Sequence, residues 1–347
     1  MVETLQLNST SIDLAGQYHQ DLNYWQIQSR IDALINRYLS VEHLCDRLED
    51  LPVQFRTPQT RPWQPIDWHA IDRQQVIGID LDVFLAILKG AIDTEAPIRQ
   101  YTQASRLYLE QLHPQLARFV GGTVDEHGSL IEPGLWEKEE RQHTPALMKV
   151  YTQLTGEKIT PALREVRPYQ SSGNPRNDLY RHGLHRVATE YGATCLYFWL
   201  MAHTTGPLQA VLEELAQDEI NHMTKFWGFG VWAFPESSLP HIALTLLRTM
   251  QGRLTYSQNR SSLVGTLHRM TNVLAWQSWS WRNRATFIFT CTRILHHLYG
   301  WSRSLTAAEL QELFGKQEGE KMKEEGGRMR DEGCSRSVSK ERRKRNI

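Results

Sequence analysis

The stretch from Trp136 to His143, WEKEERQH, places Glu140 and His143 three residues apart. On a helix those positions share a face about one turn apart, so a carboxylate and an imidazole there can reach one ion together. The spacing recurs from Gln217 to His222, QDEINH, with Glu219 and His222. Two further carboxylates, Glu95 in AIDTEAPIRQY and Glu190 in RVATEYGAT, stand in other helix-like segments. The chain order is therefore Glu, Glu-x-x-His, Glu, Glu-x-x-His. With 25 glutamates and 14 histidines in 347 residues, chance alone supplies about one Glu-x-x-His pair. The third pair present, Glu110 with His113, runs straight into Pro114 and reads as a solvated helix end.

Four carboxylates and two imidazoles in this order form the ligand set of a di-iron or di-manganese carboxylate bundle of four helices. The third and fourth segments pass a geometric test. The turn signal TTGP, Thr204 to Pro207, separates them, with Glu190 and Glu219 nearly equidistant from it. At about 1.5 Å per residue the two carboxylates stand about 23 and 20 Å from the turn, level with each other in an antiparallel hairpin. The expected fold is all-α, and two metal ions are the expected cofactors: two iron ions, or iron with manganese, or two manganese.

WEKEERQH also resembles the first metal helix of the soluble acyl-carrier-protein desaturases, with Trp, Glu, Glu and His at matching positions. QDEINH resembles their second metal helix through its Asp-Glu-x-x-His, and TEAP resembles their first-ligand segment. The resemblance spans roughly residues 80 to 226. It implies a ferritin-like four-helix bundle with additional N- and C-terminal helices, and an oxygen-dependent di-iron oxidoreductase with dioxygen as co-substrate and a ferredoxin-like electron donor. It also implies metal ligation and catalysis by Glu95, Glu140, His143, Glu190, Glu219 and His222, with Glu140 and Glu190 bridging and Glu95 and Glu219, or their neighbours, terminal. Asp218, beside a ligand, is expected to orient a histidine ring. A hydroxyl residue follows the third-helix Glu by three positions in that family; here the position is Ala193, with Thr194 next. A different small-molecule oxidation, or iron handling without an organic substrate, are the alternative readings.

Working outward, residues 16 to 50 carry apolar residues at helical intervals (Tyr24, Ile27, Ile31, Leu34, Ile35, Tyr38), the pattern of a packing helix. Residues 51 to 68 contain four prolines and read as an extended connector without a functional role. From Ile77 to Leu112 the pattern reads as one long helix, with Pro97 placing a kink or a break just beyond Glu95. Residues 113 to 135 are rich in helix breakers and have to return the chain to the level of Glu95. Pro145 is expected to distort the helix of WEKEERQH. The resulting division is an N-terminal helix and connector over 1–76, the di-metal bundle with C-terminal helices over 77–315, and a charged, disordered tail over 316–347.

Composition narrows the partners. The formal charge is zero and 40% of residues are hydrophobic, enough for a sizeable core. Four scattered cysteines without a Cys-x-x-Cys suggest neither a disulfide framework nor a zinc knuckle, and fit a cytoplasmic setting. No apolar run long enough to span a membrane occurs. Residues 237 to 308 contain no Asp, Glu or Lys but eight arginines: Arg248, Arg253, Arg260, Arg269, Arg282, Arg284, Arg293 and Arg303. Such a field attracts an anionic partner, and acyl carrier protein is the one the resemblance implies, a small-molecule substrate being the alternative. No nucleic-acid recognition motif accompanies the charge. A homodimer is a further expectation.

Overall fold

The computed structural model describes residues 22–162, 171–234, 274–306, 308–310 and 312. The start of the expected N-terminal helix, the arginines at 248, 253, 260 and 269, and the tail lie outside them.

The described residues are mostly helical. Helix α1 (Tyr24–Tyr38) starts at a reciprocal cap, Asn23 accepting from the Gln26 amide while Gln26 accepts from that of Asn23. Its buried stripe is Ile27, Ile31, Ile35 and Tyr38. The expected packing segment divides here into α1 and α2 (Val41–Glu49). The expected connector is itself partly helical, because α3 (Leu51–Arg56) takes Pro52 in its first turn, where a missing N–H costs nothing. The chain then runs without regular structure to two short 3₁₀ turns, Trp68–Ala70 and Arg73–Gln75.

The long helix expected over 77–112 is two. Helix α4 (Leu81–Glu95) ends on Glu95, and α5 (Ile98–Leu112) begins after Pro97, which has no N–H to continue the ladder. The return to the level of Glu95 is made by α6 (Pro114–Gly121) and a hairpin of β1 (Thr123–Val124) and β2 (Leu130–Glu132). Gly122 at φ 76° makes the junction, and a Cβ there would lie 1.8 Å from the Glu132 carbonyl oxygen. Helix α7 (Leu135–Thr155) follows and remains α-helical through Pro145. Helices α8 (Pro175–Ala202) and α9 (Gly206–Ala233) are antiparallel around the expected turn and pack along their length. Helix α10 (Trp281–Ser302) lies against α1 and α8.

One set of contacts brings three carboxylates to the same level. The α8–α9 turn is pinned to the segment before α4, with the Ile77 amide donating to the His203 carbonyl and the Thr205 amide to that of Gln75. From this common base α4 rises to Glu95, α8 descends from Glu190, and α9 rises to Glu219. Each path is 13 to 15 residues, about 20 Å of helix. Helix α7 packs on α4 and α9 and supplies the fourth carboxylate. No helix among the described residues is long and apolar enough to cross a membrane.

Candidate metal centre

All six residues singled out from sequence come together. Glu95, Glu140, His143 and Glu219 each offer a donor atom within 4.8 Å of the others, and so do Glu140, Glu190, Glu219 and His222. All are buried except Glu95, which is half-buried. Glu140 and Glu219 belong to both groups, so these two face each other across the centre and are placed to be shared. The resemblance implies Glu140 with Glu190 as the bridging pair; in the structure Glu190 groups with His222 and Glu95 with His143. Sequence spacing fixes which residues share a face, not how far each helix is rotated toward its neighbour.

The two histidines are held alike. His143 Nε2 donates to Asp218 at 3.3 Å, and His222 Nε2 donates to Glu139 at 2.8 Å. Each acceptor immediately precedes the shared glutamate on the opposite helix, so α7 orients the imidazole of α9 and α9 that of α7. With Nε2 engaged in this way, each Nδ1 faces the centre and is the atom left to meet an ion once its proton is displaced. There His143 Nδ1 lies 3.5 Å from Glu140 and 3.3 Å from Glu219, and His222 Nδ1 lies 3.2 Å from Glu140 and 3.7 Å from Glu190. Among the described residues neither Nδ1 has a hydrogen-bond partner, and neither does Glu190 Oε1 or Glu219 Oε2. Buried polar atoms are rarely left so. Two imidazole nitrogens and two carboxylate oxygens of these groups are left without partners, a donor set suited to divalent transition-metal ions. The buried Glu and His groups can hold a metal ion.

Crowding shows in the proton affinities. Burial, then the charge of Glu140, pushes Glu95 up to about 8. Burial and Glu140 hold Glu219 well above the carboxylate range. Burial would lower both imidazoles, but the carboxylates around them hold both well above the ordinary histidine value.

The connector before α4 closes the histidine side, contrary to the expectation that it has no role. Arg61 donates its backbone N–H to Glu139 and its side chain to Asp218 and Glu214, while Trp63 Nε1 donates to the second Asp218 oxygen at 2.8 Å. Asp218 thus orients His143 as expected, and it is held from three directions. Glu139, Arg61, Trp63 and Glu214 were not singled out from sequence. Only Glu139 left a signal there, an acid directly before the ligand glutamate as in Asp218-Glu219.

On the other side, Tyr197 donates to Glu95 at 3.2 Å. Thr194 spends its hydroxyl on the Glu190 carbonyl and offers no free group to the centre. Glu110 is exposed and paired with Arg106, and His113 caps α6, so the third Glu-x-x-His is a helix end as expected. Of the arginines described, Arg293 is paired with Asp32 and Arg303 stacks on Tyr299.

No protein-family model matches the chain, and no curated protein or solved structure matches it at a significant level.

Proposed function

We propose that the chain is an oxygen-dependent di-metal oxidoreductase, in which α4, α7, α8 and α9 form a ferritin-like four-helix bundle with further helices before and after it. The carrying observation is the pair of overlapping buried groups, each offering donor atoms within 4.8 Å of one another, in which His143 Nδ1, His222 Nδ1, Glu190 Oε1 and Glu219 Oε2 have no hydrogen-bond partner among the described residues. Two iron ions, or manganese in place of one or both, would supply open coordination positions and electrons for reducing dioxygen. Glu140 and Glu219 would be shared between them, Glu95 and His143 would complete one site, and Glu190 and His222 the other. Asp218 and Glu139 fix the tautomer and direction of the imidazoles. The buried Trp136, whose ring lies 6.5 Å from that of His222, helps to keep water from the centre.

The acyl-carrier-protein desaturase resemblance extends this to an acyl chain, a carrier-protein partner and a ferredoxin-like donor. Of the arginines that supported a carrier surface, Arg282 is exposed beside the α10 N-terminus and Arg293 is spent on Asp32. Oxidation of a free small molecule is the second reading, favoured by the environment of Arg186 described below.

Anaerobic loading of the purified chain with Fe(II), followed by metal analysis, tests the proposal. About two ions per chain are expected, with dioxygen consumed on exposure to air. A chain that retains no metal overturns it.

A further inference from the structure

Arg186 lies one turn before Glu190 on α8, so the two side chains leave the same face of that helix. It is only 3% exposed. Among the described residues, no carboxylate comes within ion-pair distance of its guanidinium. One terminal nitrogen donates to Ser105 Oγ at 2.8 Å, and the guanidinium carbon lies 4.1 Å from the Trp136 ring centroid and 5.3 Å from that of Tyr101. Among the described residues Arg186 Nε has no hydrogen-bond partner, nor has the indole Nε1 of Trp136 against which it stacks. Trp136 itself stands one turn before Glu140 on α7. Each helix therefore places a buried donor without an acceptor one turn from its metal-facing glutamate.

This arrangement is costly unless something fills it. A buried charged donor without a partner costs more than a neutral one. Arginine cannot escape by shedding its proton at any ordinary pH. Burial does press its proton affinity down, with Glu190 the first influence opposing it. Yet Glu190 and Glu140 direct their oxygens at the metal centre, so they do not fill the guanidinium's donors. The missing component is an acceptor of single negative charge, flat enough to enter beside two aromatic rings. A carboxylate matches the planar guanidinium in shape and charge, whereas a doubly charged phosphate would leave excess charge buried.

We propose that Arg186, with Ser105 and the Trp136 indole, binds the carboxylate of the substrate oxidised at the di-metal centre, so that the substrate is a free carboxylic acid rather than a carrier-bound thioester. This rests on the di-metal reading above. Side chains one turn apart are separated by about 6 Å, so the oxidised atom would lie only a few bonds from the carboxylate.

The test uses the full chain loaded with Fe(II) under anaerobic conditions, with metal content measured first. Benzoate, hexanoate and octanoate are titrated calorimetrically against the matching neutral amides. At least one acid should bind, about tenfold or more tighter than its amide. Arg186→Gln should lose that preference while keeping about two ions per chain, and Arg186→Lys should retain part of it. Should Arg186→Gln fail to fold, Ser105→Ala and the acid-to-amide comparison on the native chain still decide. Amides binding as well as acids, none of the acids binding, or acids binding undiminished to Arg186→Gln through the metals alone would overturn the proposal. Absence of metal from the native chain would instead remove the di-metal reading.

Discussion

The two faces of the centre are built to different standards. On the histidine face, Asp218 and Glu139 are locked by Arg61, Trp63 and Asn221, so the imidazoles can point only one way. On the opposite face, Glu95 is half-buried and accepts from Tyr197, and Arg186 and Trp136 have donors without partners among the described residues. A metal site needs rigid ligands on one side and room for chemistry on the other. On the proposed reading the tasks divide accordingly: α7, α9 and the connector would orient the histidines, while α4, α5 and α8 would add their carboxylates and face the substrate.

The largest effect follows from breaking what the two faces share. Replacing Glu140 and Glu219 together by Ala should abolish binding of both ions, measured by elemental analysis. Glu95→Ala and Glu190→Ala should each leave about one ion per chain, because each serves one histidine. Equal losses of both ions in the single variants would mean that the two groups do not act separately.

Next in size is Arg61→Ala, which strips partners from Asp218, Glu214 and Glu139 at once. Leaving buried charges unpaired should cost about 3 kcal/mol in urea unfolding, with weaker metal binding. A loss below about 1 kcal/mol would show that the histidine face does not depend on its connector.

Proton competition acts on both faces. Glu95, at about 8, and Glu219, His143 and His222, held well above their ordinary values, carry protons near neutrality that an ion must displace. Metal affinity should therefore rise with pH, by at least about tenfold per unit between pH 6 and 8 if one or more protons leave. Competition with a chromophoric chelator at three pH values measures this, and a flat profile would contradict it. The smallest effects should come from single hydrogen bonds: Trp63→Phe and Tyr197→Phe should each cost about 1 kcal/mol. Trp63→Phe should weaken metal binding more, since its bond supports the face that holds the ions.

Glu140, His143, Glu219 and His222 were legible because each pair acts through local spacing on its own helix, whereas Glu95 and Glu190, isolated carboxylates, stood out through their order in the chain and the resemblance. Arg61 and Trp63 were not legible, since their partners lie 78 to 157 residues away and no periodicity marks them. The prolines around them describe an extended chain without saying what it touches. Two other prolines show the same limit. Pro97 ends α4, whereas Pro145 sits inside α7 because Ala146, Leu147, Val150 and Leu154 beyond it are all buried. Burying a large aliphatic side chain contributes roughly 1.5–3 kcal/mol, enough in sum to offset the roughly 3 kcal/mol that an interior proline costs.

The reach of Arg61 has a consequence for the order of assembly. Synthesis delivers the connector long before Glu214 and Asp218 exist, and closing so long a loop is a slow, late event in folding. Until it closes, α7 and α9 can pair while Asp218 and Glu139 lack their clamp. Metal capture of full strength should therefore be a terminal step, gated by the docking of an early-made segment rather than by formation of the helices that carry the ligands.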